Sequence, residues 1–218
     1  MQELFHETAK ALERGEACVL ATVVQTEGST PQKPGAKLLV RADGSGVGTL
    51  GGGCVEGDIW FAAKTLLRSG GPTEVREYEL TEDIAARDGL ICGGTMHFLL
   101  DPIREPGDFL PQVQQMEQAF DGGKPVGIAT LVGTPEDSAL VVGTKLFIQE
   151  NGEPQGTLGV EALDKAASSK ARELIAYGKC EYITTKGGFE IFIETYTTPP
   201  TLIIMGGGHI SKALAALA

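Results

Sequence analysis

Two thiols in this chain are set among glycines, in Gly51-Gly52-Gly53-Cys54-Val55-Glu56 and in Cys92-Gly93-Gly94. Glycine where a strand meets a turn or a helix lets backbone N–H groups approach an anionic ligand, and a thiol beside them can touch it. The spacing predicts Cys54 in the first turn of a helix, where the helix dipole lowers a thiol pKa and holds part of it as thiolate near neutral pH. The amides of Gly51, Gly52 and Gly53 are candidates to hold a phosphate. Glu56 is a candidate to orient a neighbouring group or accept a hydrogen bond. Other chemistries find less support: His6, His97 and His209 lack metal-ligand spacing, and no Ser-His-Asp or paired-carboxylate motif is present.

The chain repeats itself at a spacing of 108 residues. Ala21-Thr22 returns as Ala129-Thr130, Gly35-Ala36-Lys37-Leu38 as Gly143-Thr144-Lys145-Leu146, and Gly48-Thr49-Leu50-Gly51 as Gly156-Thr157-Leu158-Gly159. Such self-similarity predicts two copies of one supersecondary unit packed together. Further on the offset falls to 94, aligning Gly93-Gly94 with Gly187-Gly188 and Phe98-Leu99 with Phe192-Ile193. The first copy therefore carries about fourteen extra residues around Leu80 to Ile91.

Duplication supplies an internal control, because positions serving only the fold keep their character in both copies. Gly52, Gly53, Cys54 and Glu56 face Val160, Glu161, Ala162 and Asp164, and Cys92 faces Lys186. Cys18 faces Val126 and Cys180 faces Pro72, so both read as structural, and Lys37, recurring as Lys145, reads as serving a strand edge. The first copy is thus the expected working copy and the second its scaffold, with Cys54 and Cys92 near each other across one cleft. Two plainer readings stand beside this one: Cys54 as a small buried residue at a helix start, and Glu56 as a carboxylate favouring the helix dipole, as Asp164 would.

The elements that must position these residues follow from hydrophobic period. Glu3 to Glu13 reads as an amphipathic helix ended by Gly15, Ala17 to Gln25 as a strand, and residues 26–36 as an ordered loop with two prolines. Lys37 to Arg41 and Gly46 to Leu50 flank the hairpin signal Asp43-Gly44, whose counterpart is Asn151-Gly152. Cys54 to Ser69 has helical spacing, and Val75 to Leu80 and Thr95 to Leu100 are further strands. A Pro-rich connection over 103–112 leads to a helix from Gln112 to Phe120 and then the second copy, Pro125 to Thr195. The expected class is α/β: an internally duplicated α+β unit, a mixed sheet with flanking helices, over residues 1–198, with repeats at about 1–104 and 112–198.

Residues 199–218 read differently. After Pro199-Pro200, Thr201 to Met205 reads as a buried-type strand, and Gly206-Gly207-Gly208-His209-Ile210-Ser211 leads into a helix over Lys212 to Ala218. Strand, G-x-G-x-x-S and helix start form the opening of a Rossmann unit, with Ser in place of the third glycine. The reading is a truncated module, so tight NAD(P) binding is not expected, because the acidic ribose contact about twenty residues on is missing.

With 218 residues, 42% of them apolar, the chain can bury a substantial core. Four cysteines without framework spacing argue for free thiols in a reducing compartment, and neither a leader nor an apolar run of about eighteen residues is seen. The expectation is a cytoplasmic protein. A net charge of −11 disfavours nucleic acid or an anionic membrane surface as partner. Exposed strand edges make a homo-oligomer the expected state.

The loop Gly28-Ser29-Thr30-Pro31, the strand after Pro34-Gly35-Ala36, Gly51 to Glu56, the Cys92 turn and the Gly206 loop occur in an order that resembles the XdhC/CoxI family. The resemblance implies an accessory factor for molybdenum hydroxylases such as xanthine dehydrogenase and CO dehydrogenase. Such a factor would bind the molybdenum cofactor (molybdopterin) transiently, protect it, assist its sulfuration with a cysteine desulfurase and hand it to the apo-hydroxylase, without turnover of its own. On that reading Ser29 and Lys33 join the glycine loops in binding the cofactor, and Cys54 and Cys92 are the thiols that ligate molybdenum or carry sulfur as a persulfide. The loop departs from the family's pattern in carrying Gln32-Lys33 where arginine is frequent. Two other classes stay open: an enzyme, either a thiol-dependent sulfurtransferase using Cys92 or a nucleotide-dependent oxidoreductase, and a protein adaptor without a ligand.

Overall fold

The computed structural model of the chain describes residues 1–80, 93–150, 152–200 and 202–217, with only the backbone described at 108. Its first part runs α1 (Gln2–Glu13), β1 (Cys18–Gly28), β2 (Lys37–Arg41), β3 (Gly46–Gly48), α2 (Gly53–Ser69), β4 (Glu74–Glu79) and β5 (Gly94–Ile103). The second runs α3 (Pro106–Phe120), β6 (Val126–Gly133), β7 (Lys145–Gln149), β8 (Gln155–Gly156), α4 (Glu161–Leu174), β9 (Cys180–Thr184) and β10 (Glu190–Tyr196), and α5 (His209–Ala215) follows.

The strand orders are β3-β2-β1-β5-β4 and β8-β7-β6-β10-β9, one arrangement made twice. The expected duplicated α/β class is therefore what the chain adopts, though both sheets are antiparallel throughout rather than mixed. Even an irregularity is copied: β1 slips register at Val24 and β6 at Val132, positions 108 apart. Each sheet buries one face under its own helix, Val55, Ile59, Ala63 and Leu66 of α2 in the first copy and Leu163, Ala167 and Ala171 of α4 in the second. The other faces meet one another through Val24, Leu99, Val132 and Phe192. Beside that seam α1 and α3 pack together over both sheets, around Phe5, Leu12, Met116 and Tyr196.

Strand pairing corrects the sequence register. Ala21 pairs with Leu38 and Leu100, whereas Ala129 pairs with Leu146 and Ile193, so the β5-to-β10 offset is 93 and not 94. Asp101 thereby matches Glu194. By the same pairing Cys180 matches Thr73 rather than Pro72. A one-residue slip exchanges the two faces of a strand, so this correction decides which side chains meet across the seam.

Two further readings change. The connection at 103–112 is mostly helix, since α3 opens at Pro106 and contains Pro111. Proline suits the first helical position, and the hydrogen bond lost at exposed Pro111 is offset by burial of Phe109, Val113 and Met116. Residues 202–205 form no strand, and Leu202, Ile203 and Met205 are exposed. Apolar residues form a buried strand only against neighbouring strands, and none of the described strands pairs with this segment. Among the described residues no helix is long and apolar enough to cross a membrane.

Candidate functional site

Three of the glycine-bearing segments converge at one end of the first sheet. The last residue of β1, Gly28, pairs with Gly94, the first of β5. A Cβ built on Gly28 would lie 2.9 Å from the Gly93 carbonyl oxygen, and one on Gly94 would strike the backbone of Glu27 and Ser29. Backbone crosses backbone here, and only glycine permits it. The chain then turns through Ser29 to Gln32, and a Cβ on Gly51 would lie 2.7 Å from Pro31. The Ser29–Gln32 loop is therefore held between the Gly93-Gly94 turn and the Gly51 loop. Ser29 and Lys33 are exposed on it. Cys92, and with it any distance from Cys54, lies outside the described residues.

The Gly51 loop carries the asymmetry between the copies. Gly51, Gly52 and Gly53 have φ of +112°, +74° and +65°. In the second copy Gly159 keeps the positive φ, at +97°, but Val160 is extended with φ of −139°. Gly51 thus serves the fold, while the left-handed backbone at Gly52 belongs to the first copy alone. Nothing lies within 4 Å of a Cβ built on Gly52, so conformation and not space demands glycine there. Gly52→Ala is expected to cost about 1–3 kcal/mol, because φ of +74° with ψ of −170° is a backbone region essentially reserved for glycine, read as a lower urea midpoint at unchanged slope. Cys54 is the second residue of α2 and half-buried, in the first turn as its spacing implies.

Glu56 closes this loop from inside. Its Oε2 accepts hydrogen bonds from the Thr49 hydroxyl at 2.7 Å, the Leu50 N–H at 2.8 Å and the Gly52 N–H at 3.2 Å. Partial burial pushes the Glu56 carboxyl upward, but these three donors outweigh it and hold the pKa below the usual carboxylate value. Gly51 N–H donates to the Thr49 hydroxyl oxygen at 3.1 Å. Two of the three amides expected to hold a phosphate are therefore engaged within the protein. Asp164 makes the same closure in the second copy, accepting from the Thr157 hydroxyl at 2.7 Å and the Leu158 N–H at 2.6 Å. Glu56 is a structural staple in both copies' terms, and it shapes the loop that presents Cys54.

The remaining thiols sit apart from this site. Cys18 is fully buried, and burial first, then the nearby Asp101 carboxylate, pushes its pKa up to about 12. Cys180 is half-buried at the seam, its Sγ 3.2 Å from the Pro34 carbonyl oxygen, and burial and then Glu194 raise its pKa. Neither is a thiolate near neutral pH. Among the described residues no group of three His, Cys, Asp or Glu side chains could hold a metal ion. Tyr78 of β4 donates to Asp58 on α2 at 2.9 Å, tying the first turns of α2 to the sheet edge, a contact that sequence spacing gives no means of finding.

The fold and site define a duplicated α/β unit in which one copy alone keeps a glycine-rich loop with a thiol at a helix start. The chain belongs to the XdhC and CoxI family, whose profile matches residues 11–79 and 119–185. The two matched segments begin 108 residues apart, which is the period of the internal repeat. The chain is 35% identical over 121 residues to the molybdenum cofactor insertion chaperone PaoD of Escherichia coli K12, covering 55% of this chain and 36% of that protein. It is 30% identical over 217 residues to a probable xanthine dehydrogenase subunit of Bacillus subtilis 168, covering 98% of this chain and 60% of that one. A crystal structure of a xanthine dehydrogenase from Bacillus halodurans shares the fold, with a TM-score of 0.62 and 23% identity over 90% of this chain and 52% of that one. The chain thus spans roughly half the length of these relatives.

Proposed function

We propose that this chain takes up the molybdenum cofactor as cargo and passes it to a hydroxylase of the xanthine dehydrogenase or CO dehydrogenase type, assisting its sulfuration together with a cysteine desulfurase. Family membership and the name of the related insertion chaperone support the reading. The structural observation that carries it is the loop at Gly52 to Cys54, left-handed and thiol-bearing in the first copy and converted in the second to Val160 and Ala162.

The residues fit such cargo in kind. Cys54 offers a soft donor suited to molybdenum, and the space beside Gly52 is open. With Gly51 and Gly52 amides engaged internally, a phosphate would fall to Gly53 and to the exposed Ser29 and Lys33. Cys92, next in sequence to Gly93-Gly94, is the second thiol of the reading. The protein would hold and hand on its cargo without turnover. Residues 199–217 fit the opening of a further Rossmann-type unit, their apolar side chains left unpacked by the two copies.

Molybdenum and pterin analysis of protein purified from a molybdenum-replete host tests the proposal. The unaltered chain should retain both, and Cys54→Ser or Cys92→Ser should lower retention about tenfold, a loss in the range seen when a metal-site ligand shell is disturbed. Cys18→Ser and Cys180→Ser should retain as much as the unaltered chain. Equal retention by all four variants would remove the thiol site. Absence of metal and pterin from the unaltered chain would favour the adaptor reading.

A further inference from the structure

A cleft of about 250 Å³ opens between the first turn of α1 and the β2–β3 hairpin, lined among others by Glu3, Leu4, Gln32, Val47 and Thr49. Two of these residues belong to the site already described. Thr49 is fixed by its hydrogen bonds to Glu56 and Gly51, and Gln32 lies against Gly51, its Cγ 3.4 Å from a Cβ built there. The cleft is thus continuous with the loop that presents Cys54. Its base is apolar, since Leu4 is buried and Val47 packs against the α1–α3 core. Its rim is polar: Glu3 carries a carboxylate, and the Gln32 side-chain amide has no hydrogen-bond partner among the described residues.

The second copy has a matching cleft of about 220 Å³ beside the α3 helix, lined by Phe109, Gln112, Ile128, Lys145, Phe147 and Gln155. There the rim groups are replaced. At the 108-residue spacing Glu3 becomes Pro111 and Gln32 becomes Leu140. The replacement is structural as well, because a Cβ on Gly159 would strike Leu140 as one on Gly51 meets Gln32. At the base Val47 becomes Gln155. The fold makes a cleft with apolar side chains at its base in both copies, but only the first carries the Glu3 and Gln32 rim groups and a thiol loop beside it.

From this contrast we infer that the first-copy cleft seats a flat heteroaromatic ring with an aminopyrimidinone edge, the ring class of a pterin. The apolar base of Leu4 and Val47 takes one ring face. Glu3 accepts from ring N–H donors, and the Gln32 amide pairs with the ring's own amide-like edge, donor to acceptor and acceptor to donor. The inference rests on the cargo reading above and adds to it the place of the ring.

Titration of the full chain with neopterin, which carries the ring but neither metal nor phosphate, followed by its own fluorescence, is the test. The unaltered chain should give saturable quenching. Gln32→Leu, which installs the second copy's residue, should weaken binding about tenfold or more, as loss of a paired amide implies, with the urea midpoint unchanged. Val47→Trp should fill the cleft and abolish binding, whereas Gln155→Leu in the other cleft should change nothing. Binding by Gln32→Leu equal to that of the unaltered chain, or no quenching by the unaltered chain at millimolar neopterin, would overturn the inference. The two readings fail separately: loss of molybdenum in Cys54→Ser with full pterin binding by Gln32→Leu keeps the cargo reading and removes the cleft, while neopterin bound in the cleft of a chain that retains no molybdenum does the reverse.

Discussion

Lys37→Met should lower the stability of this chain by about 3–5 kcal/mol, the range for stranding one partner of a buried ion pair. The Lys37 side chain is only 2% exposed, and its Nζ lies 2.8 Å from a Glu194 oxygen and 2.8 Å from the Thr22 hydroxyl. Lys37 belongs to β2 of the first copy and Glu194 to β10 of the second, so the pair crosses the seam between the sheets. Removing the ammonium leaves a carboxylate with no compensating charge in a site that water scarcely reaches. The duplication sets a companion pair, Lys145 to Asp101 at 2.8 Å, where Lys145 is 27% exposed and Asp101 also accepts from Thr73. Lys145→Met should therefore cost less, about 1–2 kcal/mol, since water and Thr73 remain for the carboxylate. The double variant Lys37→Met with Glu194→Met should recover most of the loss, because an apolar pair of similar volume removes both desolvation penalties. Urea unfolding at constant slope measures all three. A Lys37→Met midpoint within about 1 kcal/mol of the unaltered chain would mean that the pair is solvated and that the seam does not depend on it.

This ion pair also marks where sequence reading stops. The recurrence of Lys37 as Lys145 is visible in the chain, and it signals a role in the fold, but a strand-edge role is the simpler inference from a lysine opening a strand. Its true partner lies 157 residues away in the other copy, and only the corrected β5-to-β10 register reveals that Asp101 and Glu194 are equivalent. That register is illegible in the sequence because Phe98-Leu99 matches Phe192-Ile193 as well by type as it does one residue displaced. Strand sense is illegible for a similar reason: alternation tells which residues face inward, not the direction of the neighbouring strand. By contrast, the duplication, the hairpin at Asp43-Gly44 and the helix over Cys54 to Ser69 are legible, since turn glycines and helical periodicity are local signals. Proline misleads at α3, where Pro106 begins a helix instead of breaking the chain. At the site, the glycines and Cys54 can be found from spacing, whereas the meeting of Pro31 with Gly51 and the cleft beside Gln32 depend on tertiary contacts between loops.

The equivalence of Glu56 and Asp164 allows the fold's share of the site to be separated from its function's share. Glu56→Ala removes a carboxylate that accepts three hydrogen bonds, and Asp164→Ala removes one that accepts the two corresponding bonds from the Thr157 hydroxyl and the Leu158 N–H. Hydrogen bonds to a charged acceptor contribute about 1.5–3 kcal/mol when protected, and both sites are partly open to water, so each variant should lose about 2 kcal/mol. The pH dependence has a definite sign for Glu56. Its folded pKa is lowered, so its contribution is present above the unfolded value and is lost as pH falls through the folded one. The stability gap between the unaltered chain and Glu56→Gln should accordingly be full at neutral pH and close as pH falls from the ordinary glutamate value through the lowered folded one. Retention of cofactor should divide the two copies. Freed of its staple, the Thr49–Gly52 segment no longer holds Cys54 in one place, so Glu56→Ala should lower molybdenum retention along with stability. Asp164→Ala loosens a loop whose equivalent positions are Val160 and Ala162, and it should leave retention intact at temperatures where the chain stays folded. Equal loss of molybdenum in both variants would show that retention follows global stability, and the assignment of the working site to the first copy would then have to be given up.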